Sequence, residues 1–122
     1  MVHLSDQLPK VPGAVRPTLE AAVRVVKQAA PEAEEIAYQS QPPRSASAMW
    51  KLVRYAAGGA NVVGIGTFPS YAAMFFYRGT ELDDGSGLLQ GSGKMRFIRL
   101  RSPGDAERPE VKRLVRAAFE LR

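Results

Sequence analysis

The sequence contains no cysteine and only one histidine, and both shortages restrict the chemistry open to it. Without thiols the chain cannot form disulfides, a thiolate nucleophile, or cysteine-ligated zinc and iron–sulfur sites. The single histidine, His3, lies near the amino terminus, outside the segments in which regular structure is predicted. A Ser-His-Asp triad or a multi-histidine metal site therefore cannot be assembled within the predicted fold.

The sequence also lacks a long hydrophobic run, since no apolar stretch approaches the roughly 18 residues needed to cross a bilayer. Its start has no apolar segment of the kind that secretory signals contain. Both absences predict a cytoplasmic protein with no membrane partner. With 122 residues, of which 45% are hydrophobic and 24% charged, the chain has the size and composition of one globular domain.

Two segments have the apolar spacing of amphipathic helices. The first runs from Pro17 to Pro31, with apolar positions at three- and four-residue intervals, and the second begins at Pro109. Residues 1–14 lack this spacing, and their prolines disfavour a helix. We therefore expect an extended N-terminal arm over residues 1–14 and a single domain over residues 15–122. The predicted buried positions are Leu19, Ala22, Val23, Val26 and Ala30 in the first helix and Val111, Leu114, Val115 and Ala118 in the second.

Between these helices, five short segments are rich in the β-branched and aromatic residues that strands favour. The spacers after the second and third segments are too short for a parallel crossover, so we expect antiparallel hairpins. The sequence thus predicts a two-layer α+β fold, in which an antiparallel sheet of four to five strands packs on an N-terminal and a C-terminal helix. The segments cover residues 34–38, 49–56, 60–68, 71–79 and 94–101, with an irregular connection over 39–49 and a bulge expected in the last strand.

Gly64 and Gly66 share one face of the third predicted strand. Glycine has no side chain, so this face has a shallow groove or admits another group closely.

The net charge of +5 is unevenly distributed. Residues 94–122 hold nine of the 17 Lys and Arg residues but only four of the 12 acids. Such a basic region favours partners that carry phosphate, including nucleic acid. It is also typical of the solvated outer surface of a strand and a helix, and the sequence leaves both interpretations open.

The stretch over residues 75–101 holds five of the 11 glycines, in a loop between two predicted strands. Its Gly-Ser-Gly-Lys sequence at 91–94 is not a P-loop, because Met95 stands where Ser or Thr is required. Turns that need glycine explain this composition without any ligand. If the loop does bind, we expect a small anion or a protein partner, with Arg78, Lys94 and Arg96 as the candidate donors.

The same stretch carries a family resemblance. A strand ending in Arg-Gly is followed by a Leu-Asp-Asp loop, a Leu-Leu-x-Gly-x-Gly-Lys turn and a basic last strand. In this pattern the chain resembles the YdhG-like domain of unknown function, over about residues 17–121. The resemblance implies an antiparallel sheet backed by the two terminal helices. The matching positions are Arg78, Gly79, Leu82, Asp83, Gly87, Leu88, Leu89, Gly91, Gly93, Lys94 and Arg96.

Some relatives in that superfamily are described as frataxin-like iron chaperones, so the resemblance also implies iron delivery as an alternative function. Hard cations need several carboxylate oxygens close together. Under this alternative iron would be the only cofactor, and the ligands would come from Glu32, Glu34, Glu35, Asp83 and Asp84.

The aromatic residues of the predicted strands allow two interpretations. They form either part of the core or a surface on which the bases of nucleic acid stack. The residues concerned are Trp50, Tyr55, Tyr71, Phe75, Phe76 and Tyr77.

The sequence does not decide whether the chain is an enzyme, and it favours a non-catalytic role. We also predict a homo-oligomer, because the apolar segment over residues 60–68 would invite pairing with another chain if it were an exposed sheet edge.

Overall fold

The computed structural model describes residues 3–38 and 41–121. Outside the described residues lie the first two residues of the predicted arm, the first two of the predicted irregular connection, and the C-terminal residue. Five strands form one sheet in the order β1-β2-β3-β4-β5, and every neighbouring pair is antiparallel. The strands are β1 Glu34–Ala37, β2 Trp50–Ala57, β3 Ala60–Thr67, β4 Ala72–Phe76 and β5 Arg96–Leu100.

A tight hairpin joins β2 to β3, so these two consecutive strands are also neighbours in the sheet. Its two-residue turn is Gly58-Gly59, with φ angles of 59° and 80°. Positive φ at both positions gives a turn whose twist matches that of the flanking strands, and glycine adopts it without strain.

The strand bulge lies in β2, so the expectation of a bulge in the last strand is wrong. The pairing of β2 with β3 shifts between Lys51 and Val53, and it shifts back between Tyr55 and Ala56, whereas β5 pairs with β4 in an unbroken register. A bulge adds one residue to its strand, and here it allows the consecutive residues Leu52 and Val53 both to be buried.

Two long helices pack on one side of the sheet, which confirms the two-layer α+β fold. The buried stripe predicted for the C-terminal helix is confirmed in full. In the first long helix, Ala21 and Val25 are buried, whereas Val23 and Ala30 are only half-buried. The α-helices are α1 Leu4–Gln7, α2 Arg16–Ala29, α3 Pro103–Ala106 and α4 Pro109–Glu120.

The N-terminal segment differs from the extended arm that its prolines predict. It forms α1 and a 3-10 turn over Leu8–Lys10, and it buries Leu4, Gln7 and Val11. The proline in the 3-10 turn stands in its first two positions, where a missing N–H leaves nothing unpaired. Gln7 Nε2 donates a hydrogen bond of 3.1 Å to the Tyr38 carbonyl, which ties this segment to the end of β1.

The strand that prompted the homo-oligomer prediction, β3, is the central strand of the sheet. The argument from an exposed edge therefore does not apply to it, and the oligomeric state stays a prediction. Among the described helices, none is both long enough and apolar enough to cross a membrane.

Candidate functional site

One side of the sheet carries no helix within the described residues, because α2 and α4 both pack on the other side. Side chains alternate between the two sides along a strand, so the pairing register shows which of them share the helix-free side. We call this side the open face. It comprises Glu34 and Ile36 of β1, Lys51 and Arg54 of β2, Gly64 and Gly66 of β3, Ala73 and Phe75 of β4, and Phe97 and Arg99 of β5, with Tyr38, Tyr71, Tyr77 and Arg101 at its margins.

The centre of the open face is a small packed cluster around Phe75, which is only 1% exposed. Its ring occupies the space above Gly64, and Met49 lies in the same way above Gly66. The Lys51 ammonium nitrogen is 5.6 Å from the centre of the Phe75 ring, a distance at which a cation is attracted to an aromatic face. The two glycines therefore admit neighbouring side chains, which confirms the prediction of close approach at these positions.

The margin near β1 is formed by two tyrosines and an arginine. The Arg54 guanidinium carbon lies 4.9 Å from the centre of the Tyr38 ring. The Tyr38 and Tyr77 hydroxyls are 2.5 Å apart and share a hydrogen bond. Tyr77 in turn meets Phe75 edge to face, with ring centres 5.6 Å apart. One hydrogen bond and one ring contact thus link the residue after β1, through Tyr77, to Phe75 of β4.

Burial of the Tyr77 phenol raises its pKa above the usual range, and the hydrogen bond with Tyr38 raises it further. The positive charge of Arg54 acts in the opposite direction, because it favours the phenolate. The net result is that Tyr77 is a neutral phenol at physiological pH and can donate or accept a hydrogen bond.

The margin at β5 is built around two arginines. The Arg99 guanidinium carbon is 5.3 Å from the centre of the Phe97 ring and 5.9 Å from that of Tyr71. The Arg101 guanidinium carbon is 5.7 Å from the Tyr71 ring centre. Gln90 holds Arg99 in place, since its side-chain oxygen accepts a hydrogen bond of 2.7 Å from Arg99 Nη1.

Three arginines of the open face form no salt bridge among the described residues, although Glu34 lies on the same face. These arginines are Arg54, Arg99 and Arg101. The ion pairs that residues 3–38 and 41–121 do form are Arg24–Glu107, Lys27–Glu35, Arg78–Glu81 and Arg108–Glu110. The open face therefore combines aromatic rings with three arginines that form no ion pair among the described residues.

Two of the three predicted anion donors, Arg78, Lys94 and Arg96, bind other parts of the loop. Arg78 donates to both carboxylate oxygens of Glu81, and this pairing lowers the pKa of Glu81. Arg96 donates to the carbonyls of Gly91 and Gly93, at 2.8 and 2.6 Å. These contacts shape the loop. The Lys94 side chain is exposed, and its backbone carbonyl accepts a hydrogen bond from the Thr80 N–H.

Asp84 organises the first half of the glycine-rich loop. Its carboxylate accepts hydrogen bonds from the Leu89 N–H, at 2.6 Å, and from the Ser86 hydroxyl. Partial burial raises the pKa of Asp84, but these hydrogen bonds outweigh burial and hold the pKa below its usual range. The ionised carboxylate is thus engaged in forming the turn.

The acids of the iron alternative do not come together. Glu35 accepts a hydrogen bond of 2.8 Å from the Tyr55 hydroxyl and lies 3.3 Å from Lys27 Nζ. Among the described residues, no three His, Asp or Glu side chains form a group that could hold a metal ion. All five candidates, Glu32, Glu34, Glu35, Asp83 and Asp84, are among the described residues. Iron delivery stays a prediction.

The strand aromatics divide between the core and the open face, and base stacking on the latter stays a prediction. Trp50, Tyr55 and Phe76 belong to the core between sheet and helices. Tyr71, Phe75 and Tyr77 lie on the open face. Sequence analysis alone does not identify Lys51, Arg54, Tyr38 or Phe97 as open-face residues. The pattern that could have identified them is the alternation of cations with aromatic residues along neighbouring strands.

Comparison with protein-family models, with curated proteins and with solved structures finds no match, so the YdhG-like resemblance stays a prediction.

Proposed function

We propose that this chain is a non-catalytic binding domain whose open face holds an anionic partner. The observation that carries the proposal is the placement of Arg54, Arg99 and Arg101 over aromatic rings with no ion pair among the described residues. A guanidinium on a ring keeps its attraction for anions, because the ring neutralises little of its charge. A partner that brings negative charge can therefore bind without displacing an internal acid.

The rigidity of this surface also supports a binding role. The open face stands on paired strands, and Phe75, Gly64 and the Tyr38–Tyr77 hydrogen bond fix the side chains beneath the cations. Groups held in place in the free protein lose less conformational entropy when a partner binds.

The glycine-rich loop has a supporting part in this proposal. Gln90 exchanges two backbone hydrogen bonds with Phe97, at 2.8 and 3.0 Å, and its side chain holds Arg99. The loop predicted to bind an anion is thus proposed to position a cation of the open face. The cytoplasmic location stays a prediction from the sequence.

The test uses inorganic polyphosphate, a polyanion without rings, and titration calorimetry at low salt. We expect binding that weakens as salt rises, since screening reduces attraction between exposed charges. Arg54→Gln and Arg99→Gln should each weaken binding several-fold. Arg113→Gln is the matched control, because Arg113 is an exposed residue of α4, on the other layer.

Two results would contradict the proposal. The first is absence of polyphosphate binding even at low salt. The second is weaker binding in Lys94→Gln with unchanged binding in Arg54→Gln and Arg99→Gln, which would place the anion site at the loop.

A further inference from the structure

We infer that the anionic partner of the open face is a single-stranded nucleic acid. The inference rests on the proposed function, and it adds the chemical class of the partner. Three features of the surface carry it: the spread of its cations, the rings between them, and a polar cavity at one margin.

The cations are spread over too many strands for one compact anion. They extend from Arg54 in β2 to Arg99 in β5, which is three strand spacings, or about 14 Å in a sheet. A small anion would engage only one end of this row. A polymer with a negative charge at each repeat can contact the Arg54 end and the Arg99 end at once.

Aromatic rings alternate with these cations. Tyr38, Tyr71, Tyr77 and Phe97 are each half-buried, so part of every residue remains accessible. Phe68 extends the row, since it stacks on Tyr71 with ring centres 4.6 Å apart. Unpaired bases stack on such rings and on guanidinium planes, which is how sheet surfaces bind single strands.

This alternation distinguishes single strands from other polyanions. A duplex keeps its bases paired inside and would present only phosphates to the open face. An acidic peptide supplies charge but few flat rings. Of these polyanions, only a single strand offers a negative charge and an unpaired base at each repeat of its backbone.

The β5 margin adds a place for a phosphate. A cavity of about 260 Å³ lies there, with Arg99, Arg101 and Arg108 among its lining residues. Asp105 also lines it and accepts a hydrogen bond of 2.9 Å from the Arg101 backbone N–H. Arg108 is paired with Glu110, so Arg99 and Arg101 are the lining arginines that form no ion pair among the described residues. The cavity continues the row of cations beyond the last strand.

The experiment measures fluorescence anisotropy of labelled oligonucleotides with the full chain. The probes are a single-stranded RNA and a single-stranded DNA of about 12 nucleotides, a length within the site sizes of single-strand binding surfaces. The DNA duplex of the same sequence, inorganic polyphosphate and an acidic peptide serve as competitors. We expect either single strand to bind about 10-fold or more tightly than the duplex or polyphosphate, and the two labelled probes show whether RNA or DNA is preferred.

Two substitutions separate stacking from charge. Tyr71→Leu keeps apolar bulk beneath Arg99 and Arg101 but removes a ring, so it should weaken single-strand binding by about 5-fold or more and polyphosphate binding much less. Arg99→Gln should weaken both. Arg113→Gln should change neither.

The outcomes distinguish this inference from the proposed function. If polyphosphate and single strands compete equally and Tyr71→Leu has no effect, the inference is overturned while the anion-binding role stands. Preference for the duplex or for the acidic peptide also overturns it. If no polyanion binds at low salt, both fail. The comparison among competitors uses the unsubstituted protein, so it decides the question even if a variant does not fold.

Discussion

The ring of Phe75 lies over Gly64 of the neighbouring strand and fills the space that a Cβ atom would occupy there. Phe75 is almost fully buried although it points away from the helices, because open-face side chains surround it. The sheet therefore has a second, smaller packed layer beneath the proposed binding surface.

Gly64→Ala should destabilise the protein by about 1–3 kcal/mol, since the new methyl group overlaps a buried ring that has little room to move. Urea unfolding measures the loss. Gly85→Ala is the matched control, because a Cβ at Gly85 meets no atom within 4 Å. Equal stability of the two variants would show that Phe75 moves aside freely.

Alkaline pH should destabilise the fold through Tyr55 and Tyr77. Burial raises the pKa of both phenols, and hydrogen bonds with Glu35 and Tyr38 respectively raise them further. The unfolded chain loses these protons near pH 10, whereas the folded protein retains them. The stability they contribute is thus complete below about pH 10 and falls as pH rises through the folded-state pKa values.

The measurement is the free energy of unfolding in urea at a series of alkaline pH values. Tyr55→Phe and Tyr77→Phe should each give a shallower decline than the unsubstituted protein. A decline of the same slope in both variants would assign the alkaline loss to other groups.

Arg96→Ala should loosen the glycine-rich loop, because it removes the donor that holds the Gly91 and Gly93 carbonyls. We expect a loss of about 1–2 kcal/mol, at the lower end for a hydrogen bond to a charged group. Faster amide exchange in the loop should accompany it. Lys94→Ala should stay within about 0.5 kcal/mol, as exposed substitutions usually do. Equal losses of stability in Arg96→Ala and Lys94→Ala would show that Arg96 does not hold the loop.

Leu4→Ala should cost about 2–4 kcal/mol, because Leu4 is buried in the main core cluster. Ser5→Ala, at an exposed neighbouring position, should have little effect. Thermal unfolding of the two variants measures the difference. If Leu4→Ala leaves the stability unchanged, the N-terminal turns detach readily from the core.

Periodicity predicted the layers of this fold well, because the core stripe of α4 and the strand segments are local patterns that burial enforces. It fails at the N-terminus, where prolines predict an extended arm although Pro9 fits the first turn of a 3-10 helix. The spacing of Leu4, Gln7 and Val11 was the signal for a buried helical face.

The candidate site was harder to predict than the fold. Lys51 and Arg54 are three residues apart, so in a regular strand they would point to opposite sides. The bulge between Lys51 and Val53 brings them to the same side, opposite Gly66 and Gly64 respectively. A prediction from one sequence assigns strand residues to the two sides of a sheet by strict alternation. A bulge that the sequence does not mark reverses the assignment for the residues after it.

The contact between Gln90 and Phe97 also bears on how the native molecule resists cross-β growth. Gln90 occupies backbone groups on the outer edge of β5, and the opposite edge strand, β1, is only four residues long and begins with two glutamates. Amyloid-like stacking needs long, bare, uncharged strand edges as templates. Neither end of the sheet supplies one within the described residues, so such stacking would have to begin from molecules in which the loop had first come away from β5.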